Sequence, residues 1–160
     1  MLTRLVALVA LAALGTPAMA ETHANKAGTF AFTTPDGWEN TGDGDRFSIM
    51  SPDADAMLTE LDLKQQSAKE TLQETNERVT WFHHKSFGGK PGAPRDVKGN
   101  GWTGILQGQE TESGGYEFQL VAKTGAKVLV FYLAAPIPGL TPDLKQLEEI
   151  ILSLSISAAK

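Results

Sequence analysis

Cysteine is absent from all 160 positions. Its absence excludes disulfide staples, thiol nucleophiles, cysteine-held metals and lipid attachment in the bacterial lipoprotein manner. Long apolar runs are missing as well: the stretch from Leu5 to Leu14 falls short of the roughly 20 residues that a membrane span requires. Positive charge is in the minority, with 14 Lys and Arg against 19 Asp and Glu, and basic residues never fall three in a row. No basic face therefore stands ready for nucleic acid or anionic lipid, both of which reward counterion release. Internal repeats and low-complexity tracts are lacking too, which leaves one packed domain as the expectation.

What is present at the amino terminus is an address. Arg4, the apolar run, and small residues ending in Ala18-Met19-Ala20 follow the order of a secretory signal peptide, with the cut expected after Ala20. The expected organisation is a signal peptide over 1–20, a polar and disordered lead-in over 21–28, and a single domain over 29–157. Such a protein works in the periplasm or outside the cell, soluble, without membrane insertion, as a monomer or weak oligomer. Loss of Arg4 makes the formal charge of −5 one unit more negative.

Along the domain, Thr29–Thr33 reads as a strand entering a Pro35-Asp36-Gly37 turn, and Arg46–Met50 as a second strand ended by Ser51-Pro52-Asp53. Met57, Thr59, Leu61 and Leu63 alternate with Leu58, Glu60, Asp62 and Lys64, a strand whose second set makes the wetter face. Ser67-Ala68-Lys69-Glu70 matches a capping box, predicting a helix with a stripe of Ala68, Leu72, Thr75, Val79 and Phe82 and an outer Glu74–Arg78 pair. Lys90 to Gly101 predicts a long loop with a short edge strand around Asp96 to Lys98. From Trp102 a three-strand meander is expected over Trp102–Thr111, Tyr116–Lys123 and Lys127–Ala135. Val128 to Leu133 is apolar without alternation, as a central strand covered on both faces must be. Thr141-Pro142 predicts the start of a last helix with a stripe of Leu144, Leu147, Ile151 and Leu154. The fold class is α+β, an antiparallel β-sheet sandwiched between helices.

This order resembles the PsbP-like superfamily, which includes Mog-like proteins and exported bacterial DcrB-like members. The residues that carry the resemblance are the opening strand into Thr34-Pro35-Asp36-Gly37-Trp38, Phe47-Ser48-Ile49-Met50-Ser51-Pro52, the apolar strand ending at Ala135-Pro136, and Leu147-Glu148-Glu149-Ile150-Ile151-Leu152-Ser153-Leu154. The resemblance spans most of residues 28–157. It implies a PsbP/Mog-like α/β/α sandwich and a role in binding or assembly without catalysis. It carries no site residue with it, because fold does not license function.

Chemistry-bearing patterns are few. Gly99-Asn100-Gly101-Trp102-Thr103-Gly104 has the letters of a dinucleotide fingerprint but leads into a strand, where no helix N-terminus meets a pyrophosphate. His83 and His84, with His23 remote, project about 100° apart on a helix and so diverge from any one ion. Asp36, Asp43 and Asp45, or Asp53 and Asp55, lack the register and bidentate glutamate of a calcium loop and read as turn aspartates. Ser113 has no histidine near it in sequence, and Glu60 with Asp62 reads as a solvated strand face. No catalytic, metal or cofactor residue is assigned, and the chain is read as cofactor-free and not an enzyme.

The aromatics give the remaining signal. Trp81 lies off the helical stripe beside Lys85, next to a loop longer than a helix-to-strand connection needs. Trp81, Lys85, Lys90 and Arg95 are therefore the expected partner surface, for a protein or envelope component. The alternatives are a carrier of a small apolar ligand and a small periplasmic hydrolase or metal-dependent enzyme.

Overall fold

A computed structural model describes residues 19–43, 46–61, 70–125, 127–135 and 143–157. Strand β1 (Met19–Ala24) runs antiparallel to β2 (Phe30–Pro35), with His23 opposite Phe32 and Ala24 opposite Ala31. Much of the expected disordered lead-in is thus a strand. Its polar side chains find partners distant in sequence: His23 Nε2 lies 3.0 Å from Thr34 Oγ1, and Glu21 accepts from the Gly37 amide at 3.1 Å. The cut expected after Ala20 falls inside β1 and leaves Glu21–Ala24 in the ladder.

Strands β3 (Glu39–Asn40), β4 (Ser48–Met50) and β5 (Met57–Leu61) follow as antiparallel neighbours. In β5 the phase is the reverse of the expected one. Leu58 is fully buried between Ile49 and Leu133, whereas Met57 and Leu61 are 41% and 40% exposed. Glu60 therefore sits two residues from Leu58 on the core side, because cross-strand register with two buried neighbours outweighs the alternation of one short strand. Asp62–Lys64 lies outside the described residues.

Helix α1 (Leu72–Phe87) begins four residues later than Ser67 predicts, and Ser67–Lys69 lies outside the described residues. The capping box is Thr71–Glu74: the Glu74 amide donates to Thr71 Oγ1 at 3.2 Å and the Thr71 amide to Glu74 Oε2 at 2.8 Å. The bond from the Thr71 amide, then that from its hydroxyl, hold the Glu74 carboxyl below its ordinary range. With Glu74 engaged there, Arg78 pairs with Glu70 at 2.8 Å instead. Thr75 and Val79 are buried as the stripe predicts, but Phe82 is 56% exposed. A stripe of 4-3-4-3 spacing drifts around the helix, and by its last turn α1 has rotated that position off the sheet.

The expected long loop is largely sheet edge: β6 (Lys90–Pro91) and β7 (Arg95–Gly99) both pair with β8 (Trp102–Glu110) on either side of a Gly92–Pro94 break. Gly99 and Trp102 pair across a two-residue turn in which Gly101 takes φ +83°, so the glycine-rich motif is a hairpin turn. β9 (Tyr116–Thr124) and β10 (Lys127–Ala135) complete the expected meander. The last helix, α2 (Leu144–Leu152), is capped by Asp143, whose carboxylate accepts from the Gln146 amide at 3.1 Å. Thr141 and Pro142 lie outside the described residues. After α2 the chain adds β11 (Ser155–Ile156) against β2.

The large antiparallel sheet has the order β3-β4-β5-β10-β9-β8-β6, with β7 also on β8, and the small one the order β1-β2-β11. β10 is central, between β5 and β9, as its unbroken apolar run predicts. On one face Phe131 and Leu133 join Phe30, Phe32, Phe47, Leu147 and Ile151 beneath α2 and the small sheet; on the other, Val130 and Tyr132 meet Val79 of α1. The result is the expected α+β sandwich, with one outer layer made jointly by a helix and three strands.

Candidate functional site

Between α1 and the sheet lies a layer of polar side chains. Gln107 accepts from Asn76 Nδ2 and from Thr80 Oγ1, each at 2.9 Å, and donates to the Gly92 carbonyl at 2.8 Å. Gln119 donates to Asn76 Oδ1 at 2.7 Å and to Thr80 Oγ1 at 3.1 Å, and accepts from the Tyr132 hydroxyl at 2.7 Å. Burial first, and then the charge of Glu117, push the Tyr132 phenol well above its ordinary range. Sequence alternation placed Gln119 on the less apolar side of β9 but gave no sign that it is buried.

Next to this layer, His83 Nε2 lies 2.7 Å from Glu117 Oε2, and Gln109 Nε2 lies 2.8 Å from His83 Nδ1 and 2.9 Å from Glu117. An amide that donates to the carboxylate donates to Nδ1 as well, which assigns the ring proton to Nε2 and points it at Glu117. The ring also stacks on Tyr132 at 5.1 Å. His83 and Glu117 thus hold each other, and the hydroxyls in the layer, those of Thr80 and Tyr132, donate to glutamine side chains. Among the described residues no buried side-chain polar atom lacks a partner, and no three His, Asp or Glu are grouped to hold a metal ion. His84 points elsewhere, into the wall of a groove.

That groove, of about 430 Å³, runs between the outer flank of α1 and the broken sheet edge, with Trp81 and His84 on one side and Pro91 and Pro94 on the other. Trp81 is 55% exposed, meets Phe82 edge-on at 5.0 Å, and carries the Lys85 ammonium 4.8 Å from its ring centre. Trp81 and Lys85 of the expected surface are therefore together. Lys90 and Arg95 are not with them. Pro91 pairs with Gln109 and faces the groove, so Lys90, opposite Glu110, points to the other side of the sheet; Arg95 reaches Glu148 of α2. Strand pleat separates side chains that a loop would have allowed to converge. Pro91, Pro94 and His84 were missed, although two prolines flanking a break beside an unpaired aromatic were the available signal.

No family model matches the chain, and no curated protein matches it in sequence. Among solved structures, the solution structure of cyanobacterial PsbP (CyanoP) from Synechocystis sp. PCC 6803 superposes with a TM-score of 0.62, covering 94% of this chain and 99% of that one at 12% identity. The fold is PsbP-like. At that identity the likeness is one of architecture, and the PsbP-like frame positions α1 over the sheet without saying what its outer face meets. No helix among the described residues is long and apolar enough to cross a membrane.

Proposed function

We propose that this PsbP-like chain is an exported, soluble, cofactor-free binding or assembly-accessory domain of the DcrB-like kind, acting on a protein or envelope component through α1. The observation that carries the reading is Trp81: a large aromatic, more than half exposed, held against Lys85 and Phe82 on the rim of a groove walled by two prolines. Partially exposed tryptophans of this kind anchor interfaces, since they bury much area at small entropic cost. Binding is favoured over catalysis because His83, Glu117 and Tyr132 are spent on internal hydrogen bonds. It is favoured over a carrier role because the phenylalanines that would line a ligand cavity lie ring against ring, Phe131 being 4.9 Å from Phe32 and 5.0 Å from Phe30.

Trp81→Ala is expected to leave stability within about 1 kcal/mol of the parent, as surface substitutions do. A photo-crosslinking residue at position 81 should give a discrete envelope adduct that the same residue at Lys127, on the exposed end of β10, does not. Equal adducts at both sites, or loss of folding in Trp81→Ala, would overturn the assignment. Export has its own test: intact mass of protein from the envelope fraction should show Glu21 as the first residue. Retention of Met1–Ala20 in that fraction would remove the address.

A further inference from the structure

Strand β7 is open along one side. Among the described strands it pairs with β8 alone, and its Gly99 closes the two-residue turn to Trp102. That turn makes Gly99 and Trp102 a hydrogen-bonded pair. The alternation of an antiparallel ladder then aims the main-chain groups of Arg95, Val97 and Gly99 at β8, and those of Asp96 and Lys98 away from it. The open strip has fixed ends. Pro94 has no amide hydrogen to offer, and the carbonyl of Asn100, in phase with those of Asp96 and Lys98, already accepts from the Ile156 amide of β11 at 3.1 Å.

The side chains of the strip are unspent too. Asp96 and Lys98 are exposed, and neither is ion-paired with a described residue. They stand opposite Ile105 and Thr103, in phase with Gln107 of β8 and so on the face of the sheet that carries α1. Val97, between them, is half-buried on the other face against the main core. A groove of about 490 Å³, lined by Leu72, Asp96, Lys98 and Thr103 among others, keeps the α1 side of this edge clear. α1 itself packs mainly over β8 and β9.

We propose that β7 is the contact between two copies of this chain, joined antiparallel about a two-fold axis through Val97. In that register Asp96 lies opposite the partner's Lys98 and Lys98 opposite the partner's Asp96, so each charge meets its opposite and every open amide and carbonyl of the strip is bonded. The paired strip stops where Pro94 of one copy meets Asn100 of the other. Moving the axis to Asp96 or to Lys98 sets like charges face to face, and an axis between residues pairs an outward main chain with an inward one. Charges on an edge strand ordinarily keep partners away; here an acid and a base on either side of one valine block the registers that are not self-complementary. There is room for the copy. An axis perpendicular to the sheet puts both α1 helices on one face, roughly 20 Å apart from the strand spacing, against a helix width of about 10–12 Å. Both Trp81 side chains then face the same way, so the surface proposed above is presented twice. That consequence rests on the reading of Trp81, and the dimer does not.

Sedimentation velocity of the mature protein, over a concentration series up to roughly 1 mM, is expected to show a weak monomer–dimer equilibrium, as suits so short a strip. Asp96→Lys and Lys98→Glu each set like charges opposite each other while breaking no ion pair with a described residue, and each should weaken the dimer by roughly tenfold or more. Mixing the two variants should restore it, because the lysines of one then face the carboxylates of the other. Geometry has a separate readout. Val97→Cys, in a chain with no other thiol, lies beside its own copy on the axis as a non-hydrogen-bonded pair, and should give a disulfide dimer on mild oxidation that Lys127→Cys does not. A monomer at every concentration overturns the proposal. So does a dimer indifferent to both charge variants, a mixture that associates no better than its components, or equal crosslinking from positions 97 and 127. None of these results bears on Trp81, which lies outside the strip.

Discussion

Phe131→Ala is expected to cost roughly 3–5 kcal/mol of stability, close to the limit of what a single truncation does in a domain of this size. Phe131 is fully buried on the central strand β10 and meets Phe30 and Phe32 edge-on at 5.0 and 4.9 Å, so its removal empties the point where the large sheet, the small sheet and α2 come together. Neighbours fixed in three elements cannot collapse into the space. Urea unfolding should show a lowered midpoint with little change in slope. The matched control is Phe82→Ala, expected to change stability by about 0.5 kcal/mol or less because that ring is largely in solvent. A larger loss from Phe82 than from Phe131 would return Phe82 to the core, where helical spacing alone had put it.

Gln119→Leu is expected to cost roughly 2–5 kcal/mol even though leucine fills nearly the same space. The change removes the acceptor of the Tyr132 hydroxyl and a donor to Asn76 Oδ1 and Thr80 Oγ1, and each polar group left buried without a partner costs about 1–3 kcal/mol. The same layer sets an alkaline limit. Tyr132 has its pKa raised in the fold by burial and then by Glu117, so the neutral phenol's contribution is complete below the unfolded value near 10 and is lost as pH climbs through the folded one. Tyr116 is raised too, by burial and then by Glu110 and Glu148. In an ultraviolet titration neither tyrosine should therefore ionise in the ordinary range while the protein is folded, and the Tyr132 step should coincide with unfolding. A Gln119→Leu protein as stable as the parent, or a free Tyr132 step near the ordinary value, would show the layer to be open to water.

The candidate surface was half legible. Trp81 and Lys85 share one face of one helix, and helical spacing alone puts them there. Lys90 and Arg95 were grouped with them because a loop permits convergence, but their segment is strand, and strand pleat turns both to the other side of the sheet.

What the sequence by itself determined is what depends on near neighbours along the chain. The meander of β8, β9 and β10, the two-sided burial of β10 and the burial of Leu147 and Ile151 on α2 all follow from side-chain periods of 2 and 3.6 that the residues impose on themselves, although Leu144 of the expected stripe is 39% exposed and Leu154 falls past the end of the helix. The choice among possible partners belonged to the tertiary structure. β1 is a strand because β2 offers it an edge, Leu58 is buried because Ile49 and Leu133 flank it, and Gln119 is tolerated inside because Asn76, Thr80 and Tyr132 arrive from other elements to bond it. Hydrogen bonds and burial are satisfied by whichever group is close in space, and closeness across 11 to 120 residues is a property of the assembled fold.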